Sequence, residues 1–134
     1  MADRALEEAA ELTVQYNAQG LIPAIVQDVD SGQVLMMAWM NEAALKHTLE
    51  NGRATFYSRS RDRIWVKGES SGHVLQVLEA RIDCDQDTLL LRCRPHGPAC
   101  HAGYQSCFYR SASPQGDLKV VEEKVFDPDS VYGG

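Results

Sequence analysis

The sequence has little of what marks a membrane, secreted or nucleic-acid-binding protein. It contains no run of about 18 apolar residues, the length that a helix needs to cross a bilayer. Its first residues are acidic, where a secretory signal would be basic and then apolar. Basic residues are outnumbered, since 13 lysines and arginines face 19 aspartates and glutamates and give a net charge of −6. We therefore expect a cytoplasmic protein that binds neither membranes nor nucleic acid.

Length and composition predict one globular domain. With 134 residues, 44% of them hydrophobic and 24% charged, the chain is close to the averages for soluble proteins and shows no internal repeat. We expect a single domain over 1–134, with its core at about 20–112. The polar tail at 127–134 is expected to be mobile.

Short strands dominate the predicted secondary structure. Helix is predicted from Asp3 to about Tyr16 and again after Asn41, where a good N-cap residue begins a segment that stops at Asn51-Gly52. Between the helices, two apolar runs separated by Ser31-Gly32 are typical of a β-hairpin. Further strands are predicted at 54–59, 63–67, 73–84, 88–94, 105–110 and 118–126.

The sequence also lacks the C-x-x-C spacing of a zinc knuckle, although it has four cysteines. In a reducing compartment, clustered cysteines are more often metal ligands or catalysts than disulfides. Cys93 lies in an apolar strand, where a free cysteine acts as a small hydrophobic residue, and it is not assigned to the candidate site. The other three, Cys84, Cys100 and Cys107, fit a catalytic zinc site with three protein ligands and one open position. The structural alternative is that Cys100 and Cys107 are a buried pair of thiols beside a solvated His101.

Three carboxylates alternate with other residues around Cys84. If this segment is a strand, Asp83, Asp85 and Asp87 share one face and Cys84 occupies the other. Carboxylates suit Mg²⁺ and a thiolate suits Zn²⁺, so we expect two metals on two faces. On a straight strand the carboxylates would span about 13 Å, and sharing one ion would require a bend near Gln86. The alternative is a polar hairpin tip, where aspartate is common.

A basic, serine-rich segment is the best candidate for binding an anion. Its arginines and hydroxyls can make charge-assisted hydrogen bonds to phosphate, and its glycines allow backbone amides to approach. The residues that we assign to substrate and phosphate binding are Arg59, Arg61, Trp65, Lys67, Ser70 and Ser71. A solvated hairpin turn, with Trp65 in the core, is the alternative.

Five segments taken together resemble the phosphoribosyl-AMP cyclohydrolase family. In chain order they are VLMMAWMNE at 34–42, FYSRSR at 56–61, WVKGESSG at 65–72, RIDCDQD at 81–87 and ACHAGYQSCF at 99–108. The resemblance implies hydrolysis of the N1–C6 bond in the adenine ring of 1-(5-phosphoribosyl)-AMP, the third step of histidine biosynthesis. It also implies a β-rich α+β fold, a compact pseudo-barrel of short strands with a few helices, in an intertwined homodimer.

The resemblance also carries over a set of metal ligands by position. It implies one Zn²⁺ per subunit at the dimer interface, held by Cys84 of one chain and by Cys100 and Cys107 of the other. It implies Mg²⁺ on the three aspartates named above. Such sharing between chains would explain why no single segment shows a complete zinc motif.

The mechanism that this resemblance suggests has three parts. Water activated by zinc attacks C6, His101 moves a proton, and Mg²⁺ together with the basic residues holds the phosphates. Histidine is suited to this role because it titrates near physiological pH. Glu69 and His73 are rival candidates for the acid or base.

Two other functions remain open on the sequence alone. A non-catalytic, zinc-stabilised domain that binds a nucleotide or phosphate would have a closed site, usually with four protein ligands. A zinc-dependent nucleic-acid deaminase also attacks adenine C6. Its His-x-Glu and Pro-Cys-x-x-Cys signature is absent, which argues against that class.

Overall fold

The computed structural model describes residues 4–126, in which strands outnumber helices. The helices are α1 Arg4–Glu7 and α2 Glu42–Asn51. The strands are β1 Ile22–Asp28, β2 Val34–Met40, β3 Thr55–Ser58, β4 Arg63–Val66, β5 Leu75–Ile82, β6 Leu89–Pro95, β7 Arg110–Ala112 and β8 Leu118–Val120. The predicted β-rich α+β class is confirmed. Neither helix within residues 4–126 has the length and apolar character to span a bilayer.

One four-stranded sheet forms the centre of the fold. Its strand order is β2-β1-β6-β5, with β1 and β6 parallel and the other neighbours antiparallel. Two two-stranded ribbons, β3-β4 and β7-β8, complete the β structure of the described chain. Alternate residues of β1, at Ile22, Ala24 and Val26, are fully buried, as expected for a strand with one face on the core.

The predicted hairpin and second helix are confirmed, and local signals explain both. The strands β1 and β2 pair antiparallel on either side of the turn that contains Gly32. The Asn41 side chain accepts a hydrogen bond from the Ala44 amide at 2.8 Å and so caps α2. At the other end, Gly52 adopts the left-handed conformation, and its amide donates to the Thr48 carbonyl.

The hydrophobic core packs against the central sheet and includes Phe56 of β3. Phe56 is fully buried and packs against Trp65 of β4, with ring centroids 5.3 Å apart. Cys93 is also fully buried among apolar side chains, which confirms its assignment to the core. Burial raises the pKa of the Cys93 thiol to about 12, so it stays neutral and unreactive.

Three sequence-based predictions of secondary structure are wrong or too long. The first helix covers only Arg4–Glu7, because the chain that follows bonds to another segment instead of to itself: the Gln15 amide donates to the Gln86 carbonyl at 2.7 Å. The segment 105–109 is irregular and is held by isolated backbone hydrogen bonds. For example, the Cys107 amide donates to the Leu35 carbonyl. The strand predicted at 118–126 ends at Val120. The tail predicted to be mobile, 127–134, lies outside the described residues.

Candidate active site

A cavity of about 460 Å³ collects most of the residues that the sequence assigned to substrate and proton transfer. It lies between the β3-β4 ribbon, the loop after β4 and the loop that carries His101. Its lining includes Arg61, Trp65, Lys67, Glu69, Ser70, Ser71 and His101. Arg63, which the sequence analysis did not assign to substrate binding, also lines it. Arg61, Arg63 and Lys67, which we call the cationic wall, therefore share one open space with His101.

The turn between β3 and β4 presents the arginines of this wall. Asp62 has a left-handed backbone, and its carboxylate accepts a hydrogen bond from the Tyr57 hydroxyl across the turn. This hydrogen bond makes the largest contribution to the raised pKa of Tyr57. The Arg61 amide donates to the Ser58 hydroxyl at 3.3 Å. These bonds fix the turn and leave the arginine side chains exposed to solvent.

The loop after β4 depends on a glycine. Gly68 has φ +80°, and a Cβ on it would lie 2.2 Å from the backbone carbon of His73. No other residue fits this approach without moving the loop. The Gly72 amide closes the loop by donating to the Gly68 carbonyl at 2.8 Å. As a result, Glu69 and Ser70 lie on the side of the loop that faces the cavity.

His101 lies at the tip of a tight turn between Cys100 and Gly103. The Gly103 amide donates to the Cys100 carbonyl at 3.2 Å, and the Ala102 amide points at the Cys100 sulfur at 3.4 Å. Gly103 has φ +103°, a conformation that side chains rarely adopt. The turn keeps Cys100 buried and His101 exposed at the cavity.

Two of the three predicted zinc ligands are neighbours in the described chain. The thiols of Cys100 and Cys107 lie near enough for Cys100 to affect the ionisation of Cys107. Although Cys107 keeps exposed surface, loss of water around its sulfur raises the pKa of the thiol to about 11, and the nearby Cys100 adds to the rise. We call Cys100 and Cys107 the thiol pair.

Lys67 links the thiol pair to the cavity. Its side chain is 9% exposed, and burial lowers the pKa of its ammonium, while the charges of Cys107 and Cys100 act in the opposite direction. The same ammonium lowers the pKa of Cys107. Sequence reasoning assigned Lys67 to phosphate and missed this electrostatic interaction, because more than thirty residues separate it from both cysteines and no local pattern joins them.

Cys84 does not join the thiol pair within one chain. No group of three His, Cys, Asp or Glu side chains within the described residues converges well enough to hold a metal ion. Cys84 is exposed on the turn between β5 and β6. The thiol pair therefore has the donor chemistry of part of a zinc site. A third thiol ligand would have to come from another chain, because Cys84 of the same chain does not join the pair.

The acidic segment is a turn between β5 and β6, as the alternative of a polar hairpin tip expected, so its carboxylates do not share one face of a strand. The bend lies at Gln86, whose φ of +57° is unusual for a residue with a side chain. Asp83, Asp85 and Asp87 are all exposed, and so is Cys84. One oxygen of Asp83 accepts the amides of Asp87 and Thr88 at 3.0 and 3.1 Å. A hydrogen bond with Asp83 and the neighbouring negative charges raise the pKa of Asp87.

Two predicted residues lie away from this cavity. Arg59 lines a separate depression that also borders Trp65, with its guanidinium carbon 5.4 Å from the centre of the Trp39 ring. His73 lies behind the loop after β4, with its ring 5.5 Å from that of Phe126 and nearly perpendicular to it. The structure thus groups His101 with Glu69 in the cavity and sets His73 apart.

Comparison with known proteins assigns the chain to one family. A sequence model described as phosphoribosyl-AMP cyclohydrolase matches residues 36–109. A phosphoribosyl-AMP cyclohydrolase from Chlorobium chlorochromatii is 51% identical over 133 residues, which is 98% of this chain and 97% of the relative. One from Haloquadratum walsbyi is 51% identical over 126 residues, 94% and 92% of the two chains. The matched region contains all the residues of the cavity and both members of the thiol pair, and the chain belongs to the phosphoribosyl-AMP cyclohydrolase family.

Proposed function

We propose that this protein opens the adenine ring of 1-(5-phosphoribosyl)-AMP by adding water across the N1–C6 bond, a step of histidine biosynthesis. Family membership supports a hydrolase over a non-catalytic binding domain. The observation that carries the proposal is the meeting of His101, Glu69 and a cationic wall in one cavity beside the thiol pair. This arrangement supplies a proton-transfer group and anion-binding groups for a substrate with two phosphates.

The cationic wall is assigned to the phosphates of the substrate. The guanidinium groups of Arg61 and Arg63 can each make two parallel hydrogen bonds to a phosphate. The hydroxyls of Ser70 and Ser71 can complete the set from the loop after β4. The Arg59 guanidinium lies over the Trp39 ring in the separate depression. Arg59 is therefore assigned to a part of the substrate that extends past Trp65.

His101 is assigned to proton transfer at the reacting atoms. In its neutral form a ring nitrogen accepts a proton from the attacking water, and the resulting imidazolium donates it to N1 as the N1–C6 bond breaks. The tip of the Cys100–Gly103 turn places this imidazole at the cavity, next to the buried Cys100. Glu69 lines the same cavity and is the second candidate for this role.

Zinc is assigned to Cys100, Cys107 and a Cys84 from a second copy of the chain. The thiol pair provides sulfur donors, and the nearby Lys67 charge favours the thiolate form of Cys107. A zinc ion bound there would lower the pKa of a water molecule to roughly 7 and so supply hydroxide at neutral pH. Mg²⁺ is assigned to the exposed carboxylates of Asp83, Asp85 and Asp87, which are hard oxygen donors.

The proposed active unit is a homodimer. Cys84 does not reach the thiol pair of its own chain, and a shared site would bring the two together. Several apolar side chains of the described chain are exposed on the segment after Cys107, among them Phe108, Leu118 and Val120. A partner surface would cover such side chains. All four cysteines are free, which fits the reducing environment of the cytoplasm.

The proposal is tested by incubating the purified protein with phosphoribosyl-AMP and separating the products by chromatography. The expected result is a ring-opened product that disappears after treatment with a zinc chelator and returns when Zn²⁺ is added. A protein that binds the nucleotide without turnover, with metals present, would support the non-catalytic binding domain instead. Turnover that persists after complete zinc removal would retain the hydrolase assignment and overturn the metal assignment.

A further inference from the structure

The segment that follows β8 contacts both of the loops that border the cavity, the loop of His101 and the loop after β4. We call residues 121–126 the post-β8 segment. Its amides at Val125 and Phe126 both donate to the carbonyl of Gly103, at 2.7 and 3.4 Å. Its first amide, at Val121, donates to the Tyr109 carbonyl at 2.9 Å. The Phe126 ring meets the His73 ring edge to face, at 5.5 Å and 82°.

At one end of these contacts is the turn that carries His101. Gly103 closes that turn and is buried, and its carbonyl is the acceptor for both amides of the post-β8 segment. Since Gly103 is two residues from His101, a shift of the carbonyl would move the tip of the turn. The position of His101 at the cavity therefore depends on a segment that does not itself line the cavity.

At the other end is the loop that carries Glu69. Its last residue, His73, is enclosed by two glycines: a Cβ on Gly97 would lie 2.5 Å from the His73 ring, and a Cβ on Gly68 would lie 2.2 Å from the His73 backbone. Phe126 contacts the same ring. The ring of His73 thus transmits the position of Phe126 to the base of the loop.

We propose that Phe126 is a positioning residue that holds the His101 turn and the Glu69 loop at a fixed separation across the cavity. The inference rests on the proposed function, because it assigns the alignment of these two groups to catalysis. It also gives His73 a role in support of the loop, in place of proton transfer. Alignment of this kind matters because a displacement of about 1 Å at reacting groups can reduce the rate by about a hundredfold.

Two substitutions test the two contacts independently in the full-length protein. Phe126→Ala removes the ring, and Phe126→Tyr keeps it. Val125→Pro removes the amide that donates to Gly103, whereas Val125→Ala keeps the amide and changes only a side chain that is 56% exposed. If Phe126→Ala fails to fold, Phe126→Leu, which keeps apolar bulk, is measured in its place.

The measurements are kcat and KM with phosphoribosyl-AMP, and the NMR signals of the histidine rings, which number four in this chain. We expect about a tenfold or larger loss of kcat in Phe126→Ala and Val125→Pro, with wild-type kcat in Phe126→Tyr and Val125→Ala. We also expect the His101 and His73 signals to shift or broaden together in Phe126→Ala.

A shift of the His73 signal alone, with unchanged kcat, would overturn the inference, because Phe126 would then pack without positioning His101. Loss of activity without movement of the His101 signal would overturn it as well. If the full-length protein fails to open the adenine ring, the proposed function falls, while the NMR signals still decide whether Phe126 positions His101.

Discussion

At the scale of single residues, Lys67 connects the chemistry of the thiol pair to that of the cavity. Because the pKa of Cys107 is about 11, its thiol is protonated at neutral pH and must lose the proton when it binds a metal. The Lys67 ammonium favours the thiolate, and without it the pKa of Cys107 would be higher still. The pair and the lysine thus form one electrostatic unit.

We predict that zinc affinity rises with pH between about 6 and 9, by up to about tenfold per pH unit for each thiol proton released. Lys67→Met should bind Zn²⁺ more weakly than the wild type throughout this range, since the variant leaves the thiolates without a neighbouring positive charge. Competition with a chromophoric chelator measures both effects. Lys46→Met, at an exposed position on α2, is the matched control and should retain wild-type affinity. An affinity that is independent of pH would contradict the assignment of the thiols as ligands.

His101 gives a second prediction at the residue scale. His101→Ala should reduce kcat by about a hundredfold or more, the usual contribution of a positioned acid or base, while the zinc content stays close to that of the wild type. His96→Ala, which removes an exposed imidazole that does not line the cavity, should keep normal turnover. Zinc content is measured by metal analysis of the same samples used for kinetics. Equal loss of zinc and turnover in His101→Ala would assign the residue to structure.

At the scale of elements, the acidic turn and the segment before β1 support each other through Gln86. This side chain is 3% exposed, and its oxygen accepts the Thr13 amide at 2.6 Å. Its amide nitrogen donates to the carbonyls of Leu6 and Glu11 at 3.3 and 3.4 Å. The polar groups of one buried side chain therefore hold the end of α1 and the irregular stretch that follows it.

Gln86→Ala should lower the free energy of unfolding by about 1–3 kcal/mol, because it leaves backbone groups of the first segment without their partner. Gln86→Gly removes the same side chain but fits φ +57° without strain, so it should destabilise the protein less than alanine does, by up to about 1 kcal/mol. Urea unfolding measures both values. Gln76→Ala, at an exposed position, should stay within about 0.5 kcal/mol of the wild type. Equal destabilisation by alanine and glycine would show that the backbone conformation is not strained.

Local signals explain which elements were predictable from the sequence. The first hairpin and α2 are set by a turn glycine and by the Asn41 and Gly52 caps, all within a few residues of the elements they bound. The first predicted helix failed because its backbone groups find partners more than seventy residues away, at Gln86. The site shows the same division. Most residues of the cavity could be named from the sequence, but the separation of Arg59 from the cavity and the electrostatic interaction of Lys67 with the thiols depend on how distant segments pack.

At the scale of the whole molecule, the distribution of cysteines is the main argument for a second chain. The thiol pair and Cys84 lie in different places in the described part of one chain, so a site with three thiols needs two copies. In a symmetric dimer each copy would give Cys84 to one site and the thiol pair to the other, and the two sites would be equivalent. Light scattering should then report a mass of two chains.

Mixing two inactive variants tests this arrangement directly. Cys84→Ser and Cys107→Ser should each abolish turnover alone, because each removes one ligand from every site of a homodimer. After unfolding and refolding together, half of the dimers would be mixed, and each would hold one site with all three thiols and one site lacking two. The mixture should therefore regain about a quarter of wild-type activity and of its zinc content per chain. A mixture of Cys100→Ser and Cys107→Ser is the matched control and should regain none, since these two thiols come from the same chain. Recovery in the control, or its absence in the first mixture, would show that the three thiols do not meet between two copies.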